Sequence, residues 1–138
     1  QKEMPGETPE LRKAINACYR GPVEDKLATL REYRFTVTLE NTISPGYITE
    51  KIFDAIFAGS IPLYLGAPDI TDFVPADCFI DLRKFKDLTA LRTYLENFTE
   101  AEYQKMHSAM QKYVHGEQYA PFSQEYFTRQ MIELIKAA

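Results

Sequence analysis

The sequence predicts an α/β fold in which a short parallel sheet is flanked by helices, and three runs of residues carry this prediction. Residues 33–39 alternate and are rich in β-forming side chains, which is typical of a strand. Residues 60–66 form an apolar run without alternation, which indicates a strand covered on both faces, as in parallel sheets. Residues 47–58 carry apolar side chains at helical spacing, so the order strand, helix, strand favours parallel pairing.

The remaining elements follow from capping residues and helix breakers. A third strand is predicted at residues 78–82, and further helices at residues 9–17, 23–32, 88–95, 99–114 and 122–137. Gly59 is predicted to end the helix at residues 47–58, Thr99 and Glu102 to form a capping box, and Ser123 to cap the last helix. A complete doubly wound domain has about five or six strands, so three make a thin sheet. The predicted fold is therefore a partial Rossmann-like parallel sheet flanked by helices, the C-terminal half of such a domain. Residues 1–10, rich in proline and glycine, are predicted to be a flexible lead, and residues 11–138 the domain.

Composition and charge exclude several classes of function. The 138 residues are 45% hydrophobic with a net charge of −4, which fits one globular domain and argues against non-specific binding to nucleic acid. No apolar run approaches the ~20 residues that would cross a bilayer, so no transmembrane segment is expected. The two cysteines and two histidines are not spaced as zinc ligands, so no metal site is expected either.

The segment between the first strand and the following helix carries the residues most suited to chemistry. It contains Asn41, Tyr47, Glu50 and Lys51, and it ends at a helix start, where backbone N–H groups and the helix dipole favour anions. A phosphorylated ligand would suit this place, with Lys51 as a mobile positive charge. We predict that Tyr47 and Lys51 share one helical face with Glu50 beside them. An exposed helix start explains the same residues equally well, and the turn at residues 66–69 is either a close approach to a ligand or an ordinary turn.

Three separated blocks of the chain, at residues 33–41, 47–53 and 58–68, agree in order and spacing with one known family. The agreement extends upstream to residues 21–26 and downstream to residues 73–80. In these blocks the chain resembles the α-1,3/4-fucosyltransferase family. The resemblance implies a GT-B architecture, in which two Rossmann-like domains enclose a cleft and the C-terminal domain binds GDP-fucose. It also implies transfer of fucose, with inversion, to a hydroxyl of an N-acetylglucosamine or glucose unit in a glycan.

The resemblance also assigns roles to individual residues of the site. Lys51 would hold the diphosphate, which gains charge as GDP leaves. Tyr47 and Asn41 would donate hydrogen bonds to the phosphates or the nucleotide sugar. Glu50 would contact hydroxyls of the donor and stabilise the oxocarbenium-like fucosyl group. The family also places an arginine upstream on the diphosphate, and Arg12 is the candidate in this chain.

The resemblance implies that the general base is a carboxylate of an N-terminal domain, which we expect to lie outside this sequence. The resemblance therefore implies a donor site for GDP-fucose, no metal or other cofactor, no glycan-acceptor site, and no transferase activity of the chain alone. A GT-B transferase for another nucleotide sugar and a non-catalytic interaction domain of this fold remain alternatives. An exposed sheet edge would favour a homodimer. With so few cysteines, we expect the cytoplasm of a bacterium, in solution or at the membrane, with the Golgi lumen as the alternative.

Overall fold

The structure, a computed structural model, describes residues 8–137 and contains one parallel sheet in the order β1-β2-β3. The strands are β1 (Phe35–Leu39), β2 (Ile61–Leu65) and β3 (Ile80–Asp81). Phe35 lies opposite Ile61, and Leu39 lies opposite Leu65. The α/β class and the parallel pairing are therefore confirmed, and the loops that follow β1 and β2 leave the sheet at the same edge.

Six α-helices surround the sheet in the described chain. They are α1 (Pro9–Cys18), α2 (Lys26–Leu30), α3 (Glu50–Ala58), α4 (Leu88–Glu96), α5 (Glu100–Val114) and α6 (Gln124–Ala137), with 3-10 turns at Ile70–Asp72, Leu82–Lys84 and Ala120–Phe122. Gly59 ends α3 in the left-handed conformation with φ 78°, as its position predicted. Thr99 and Glu102 form the predicted capping box of α5. The predicted lead at residues 1–10 falls mostly outside the described residues.

The core lies between α3, the sheet and α5. Ile52 and Ile56 of α3 are fully buried against Ile61 and Tyr64 of β2, which are also fully buried. The complete buried cluster consists of Ile52, Ile56, Ile61, Leu63, Tyr64, Ile70, Val74, Cys78, Phe79, Ile80, Met110 and Tyr113. Burying one large aliphatic side chain contributes roughly 1.5–3 kcal/mol, so this cluster fixes α3 and β2 relative to each other.

The hydrophobic spacing predicts that α3 begins at Tyr47, but in the structure it begins at Glu50. Gly46 has a left-handed backbone with φ 71°, and Thr49 is extended with φ −110° and ψ −178°. The chain between these two residues is therefore not helical. The prediction that Tyr47 and Lys51 share one helical face is wrong for this reason.

Two other helices begin later than predicted, each behind a capping side chain. α2 begins at Lys26 because the Asp25 carboxylate accepts a hydrogen bond from the Ala28 N–H at 2.9 Å. α6 begins after Ser123, whose hydroxyl accepts from the Tyr126 N–H at 3.1 Å. The Ser123 cap was predicted, and the short polar caps thus set both boundaries.

Two of the three apolar side chains of the strand β1 are exposed to solvent, whereas that of Phe35 packs against the core. Val37 and Leu39 are 63% and 45% exposed, whereas Thr38 between them is 2% exposed. The Thr38 hydroxyl donates to the Leu63 carbonyl at 3.2 Å, which satisfies it in the interior. The strand predicted from the alternation is confirmed, but its polar side faces the core.

Candidate functional site

The candidate site lies at the edge of the sheet where the parallel strands end. Residues 40–49 follow β1 and lead into α3, residues 66–69 follow β2, and Arg83 lies just beyond β3. Ligands of α/β proteins bind at this edge, because loops from neighbouring strands meet there. The sequence placed the loop and the turn at this edge, and the hydrogen bonds between them show how they are held.

A buried carboxylate organises the loop. The Glu40 side chain has 0% exposure and follows directly after β1. Its Oε1 accepts from the Thr49 backbone N–H at 2.8 Å, and its Oε2 accepts from the Thr49 hydroxyl at 2.8 Å. The Lys51 ammonium donates to the same Oε2 at 3.2 Å. A buried carboxylate is costly unless it is paired, and these three bonds pair it.

Lys51 is anchored on one side and open to solvent on the other. Its ammonium donates to Glu40 Oε2 and to Thr49 Oγ1, the latter at 3.1 Å, while 29% of its side chain is exposed. An ammonium group carries three N–H donors. Two of them have acceptors within the described chain, so one remains to donate to a ligand oxygen.

The start of α3 is left without a side-chain cap. Thr49 occupies the N-cap position, but its side chain makes no capping hydrogen bond: its hydroxyl donates to Glu40 and accepts from Lys51. The backbone N–H groups of the first turn therefore keep their capacity to bind an anion. Glu50 is the first residue of α3, and its side chain is exposed at the same end of the helix.

The turn after β2 is shaped by the absence of a side chain at Gly66. A Cβ atom there would lie 2.5 Å from Glu40 Cγ and 2.4 Å from the Tyr64 hydroxyl, so glycine leaves the room that both side chains occupy. The Tyr64 hydroxyl accepts a hydrogen bond from the Ala67 N–H at 3.0 Å. Burial raises the pKa of Tyr64 above its ordinary value, so the phenol stays neutral in the interior.

A second carboxylate connects the turn to the loop. Both oxygens of Asp69 accept from the Gly46 N–H, at 2.9 and 3.0 Å. The left-handed backbone at Gly46 has open space around it, with nothing within 4 Å of a Cβ built there. Glycine is therefore required at this position by backbone conformation and not by crowding.

An arginine beyond β3 holds the other side of the turn. Arg83 pairs with both oxygens of Asp81 at 2.9 Å and donates to the Pro68 carbonyl at 3.2 Å. Burial raises the pKa of Asp81, but hydrogen bonds from the Arg83 side chain and backbone outweigh it and lower the pKa overall. The turn at residues 66–69 is thus fixed from two directions.

The structure brings four of the predicted site residues to this edge. Asn41, Tyr47 and Glu50 are exposed around the loop, and Lys51 lies partly buried beside Glu40. Arg12 lies on α1, a helix that is exposed along most of its length, and its role stays a prediction.

The sequence analysis assigned no role to the residues that hold the loop. Glu40, Thr49 and Asp69 were seen only as parts of a loop, a helix start and a turn. An acidic residue at the end of a predicted strand, with a lysine in the next helix start, was the available signal for Glu40. Asp69 gave no such signal, because its partner is a backbone N–H far away in sequence.

Parallel strands with polar loops at their carboxyl ends and an uncapped helix start define an α/β protein with a candidate ligand site at the sheet edge. A family model described as glycosyltransferase family 10 (fucosyltransferase), C-terminal region, matches residues 12–136. The chain belongs to this family, and the resemblance found in its sequence is confirmed.

Curated relatives come from plants, bacteria and mammals. An α-(1,4)-fucosyltransferase of Arabidopsis thaliana is 40% identical over 49% of this chain and 17% of its own length. The α-(1,3)-fucosyltransferase FucT of Helicobacter pylori is 39% identical over 54% of this chain and 16% of its own length. The human α-(1,3)-fucosyltransferase 7 is 39% identical over 56% of this chain and 23% of its own length. The chain thus matches less than a quarter of each of these relatives.

Solved structures show the same fold. An α1,3-fucosyltransferase determined with GDP-fucose has a TM-score of 0.57 at 32% identity, over 62% of this chain and 26% of that one. A structure of an α1,3-fucosyltransferase gives a TM-score of 0.58 at 28% identity, over 69% of this chain and 31% of that one. These neighbours are of the GT-B type, which confirms the predicted fold class.

The described residues contain neither a cluster of metal ligands nor a helix that could span a membrane. Among residues 8–137, no three histidine, cysteine or carboxylate side chains gather where they could hold a metal ion. Within the same residues, no helix has the length and apolar character needed to span a bilayer. Independence from metals and cofactors stays a prediction.

Proposed function

We propose that this chain supplies the GDP-fucose-binding part of a fucosyltransferase. The observation that carries the proposal is the Lys51 ammonium, anchored by two acceptors and still partly exposed beside an uncapped helix start. This arrangement suits a diphosphate, because one N–H donor and several backbone N–H groups converge near one place. The similarity to an α1,3-fucosyltransferase determined with GDP-fucose supports fucose as the transferred sugar.

Each exposed residue has a proposed task around the donor. Lys51 neutralises the diphosphate as the bond to fucose breaks, which lowers the barrier by stabilising the leaving group. Asn41 and Tyr47 bind the phosphates or the nucleotide sugar, since both are exposed on the loop. Glu50 contacts hydroxyls of the donor and stabilises the positive charge of the fucosyl group. Arg12 is a further candidate for the diphosphate.

The transfer itself needs groups beyond this chain. We propose inversion at the fucosyl carbon, with the acceptor hydroxyl deprotonated by a carboxylate of an N-terminal domain. A hydroxyl of N-acetylglucosamine or glucose in a glycan is the proposed acceptor. The chain alone is expected to transfer no fucose, and transfer measured with the purified chain would refute this expectation.

Calorimetric titration of the chain with GDP, GDP-fucose and a UDP-sugar tests the donor proposal. We expect binding of GDP and GDP-fucose and none of the UDP-sugar. Binding of the UDP-sugar would favour a GT-B transferase for another donor, and binding of no nucleotide would favour a non-catalytic interaction domain.

The variant Lys51→Ala tests the residue that carries the proposal. We expect GDP affinity to fall about tenfold or more, since hydrogen bonds to charged groups contribute roughly 1.5–3 kcal/mol. Lys136→Ala is the matched control, because Lys136 also pairs with a carboxylate, that of Glu133, but lies on α6. Unchanged GDP affinity in Lys51→Ala would remove this lysine from the site.

Compartment and assembly are proposed on separate grounds. We propose the cytoplasm of a bacterium, in solution or at the membrane, because the chain has only two cysteines. The Golgi lumen is the alternative, and relatives from both a bacterium and mammals match. Fractionation of the source cells distinguishes the two.

The exposed apolar side chains of the edge strand β1 support a homodimer.

A further inference from the structure

We propose that Glu40 and Thr49 are positioning residues that hold the Lys51 ammonium where it meets the diphosphate. The inference rests on the proposed donor-binding function and assigns work to two residues that the family resemblance left without a role. Within residues 8–137, the three hydrogen bonds to the Glu40 carboxylate come from Thr49 and Lys51. These hydrogen bonds of a carboxylate with no exposed surface therefore all lead to the beginning of α3.

The pair of charges is asymmetric, and this asymmetry separates it from an ordinary ion pair of the core. The Glu40 side chain is 0% exposed, whereas the Lys51 side chain is 29% exposed. The carboxylate thus lies beneath the ammonium and orients it without blocking its access to solvent. An ion pair that served only stability would gain nothing from leaving the lysine accessible, because exposed pairs contribute little.

The proton arrangement of the network has one consistent solution. An ammonium only donates hydrogen bonds, an ionised carboxylate only accepts them, and a hydroxyl has a single proton. The Thr49 hydroxyl must therefore donate to Glu40 Oε2, at 2.8 Å, and accept from Lys51 Nζ, at 3.1 Å. The backbone N–H of Thr49 fixes the other carboxylate oxygen. Lys51 is in this way held by two acceptors whose own positions are fixed.

The turn after β2 protects the position of Glu40. A Cβ atom at position 66 would come within 2.5 Å of Glu40 Cγ. Any side chain at Gly66 would displace Glu40 or Tyr64, and Glu40 would carry Lys51 with it. The conformation of the turn at residues 66–69 thus affects the loop at residues 40–49 through this contact.

The substitution Glu40→Gln tests the proposal in the full chain, with GDP and guanosine as ligands in a displacement assay. Glu40→Gln keeps the shape but removes the charge, and we expect GDP to bind about tenfold more weakly, on the scale of hydrogen bonds to charged groups. Guanosine has no phosphate, so its affinity is expected to change less than about twofold, within the error of unrelated sites. Equal loss for both ligands would show a structural role and overturn the proposal.

Thr49→Val and Thr49→Ser form a matched pair that does not alter the buried charge. Thr49→Val removes the hydroxyl and is expected to weaken GDP binding several-fold, by about the contribution of one hydrogen bond. Thr49→Ser restores the hydroxyl and is expected to recover most of that loss. Loss of equal size in both variants would overturn the role of the hydroxyl. This pair keeps the proposal testable if Glu40→Gln fails to fold.

A double-mutant cycle with Lys51→Met separates positioning from other effects. In the Lys51→Met background, Glu40→Gln is expected to cause no further loss of GDP affinity, because the group that it positions is absent. An undiminished loss in that background would overturn the proposal.

A measurement without ligand keeps this inference separate from the proposed function. If the wild-type chain binds no GDP, the donor proposal fails. Lysine ¹⁵N NMR then still measures whether the Lys51 ammonium is ordered. A signal from an ordered ammonium, assigned by its loss in Lys51→Met, is expected in the wild type and expected to disappear in Glu40→Gln. Its persistence in Glu40→Gln would show that the carboxylate does not hold the lysine.

Discussion

At the scale of single residues, the two cysteines differ in the features that govern thiol chemistry. Cys18 is exposed at the end of α1, whereas Cys78 is buried in the core cluster. Burial, followed by the nearby Asp77 carboxylate, raises the pKa of Cys78 to about 12. The thiolate is the reactive form, so Cys78 is inert in the folded chain at neutral pH. Both thiols are free in the structure.

This contrast predicts selective labelling. At pH 8, a maleimide is expected to modify Cys18 rapidly and Cys78 only after unfolding, as measured by mass spectrometry of intact and digested protein. In Cys18→Ser the native chain is expected to take up no label within the same time. Labelling of Cys78 in the folded Cys18→Ser variant at the rate of an exposed thiol would contradict its burial.

At the scale of elements, the hydrophobic pattern predicted the boundaries that depend on local sequence and missed the boundary that depends on a side chain distant in sequence. The strand β2 and the end of α3 at Gly59 are set by a buried run and a left-handed glycine, and both were visible in the sequence. The beginning of α3 was not visible. The side chain of Thr49, which would cap a helix in isolation, bonds instead to Glu40 across nine positions of sequence. The loop predicted to carry the site does lie at the carboxyl ends of the strands, but the contacts that shape it depend on the folded chain.

The ion pair of Asp81 and Arg83 predicts a pH dependence of stability. The pKa of Asp81 is lowered in the folded chain, so its contribution is fully present above the ordinary value of 3.8 and is lost as the pH falls through the lower folded value. Asp81→Asn is expected to reduce the free energy of unfolding at pH 7 by about 1 kcal/mol, since the pair is only partly shielded from water.

Urea unfolding from pH 7 down to pH 3 measures this difference. We expect the difference in free energy of unfolding between wild type and Asp81→Asn to stay constant above pH 4. Below pH 4 the difference is expected to shrink, because the wild-type carboxyl becomes protonated. Glu96→Gln is the matched control, because the Arg92–Glu96 pair is exposed on α4 and makes no contact with the turn. A difference between wild type and Asp81→Asn that does not depend on pH would show that the charge of Asp81 is not its cause.

At the scale of the whole molecule, the sheet is shielded unevenly. β2 lies between its two neighbours and is buried, whereas β1 forms one edge and exposes Val37 and Leu39. Val37 also lines a groove with Leu63 of β2 and three leucines of α4 (Leu88, Leu91 and Leu95). An edge strand with apolar side chains is a surface on which a second chain can pair. The alternation in the sequence could predict this strand but not which of its faces would be exposed.

Concentration-dependent association tests the homodimer. Sedimentation velocity of the chain is expected to show a growing dimer fraction as concentration rises, and Val37→Lys is expected to reduce it, because charge on an edge strand opposes pairing. Leu134→Lys is the matched control for an added charge on an exposed apolar residue, because Leu134 lies on α6 and is 65% exposed. A wild type that stays monomeric, or a dimer insensitive to Val37→Lys, would contradict pairing through β1.

The bond between Gly46 and Asp69 has a consequence for the thermodynamics of ligand binding. The loop at residues 40–49 is tied near both ends through Glu40 and Thr49, and near its middle through Gly46. A segment fastened at these points has few conformations left to lose. The entropic cost of ordering the loop therefore falls on folding and not on binding, so that a ligand binds a preorganised surface. The affinity that we propose for a diphosphate thus depends on how well this loop is ordered before the ligand binds.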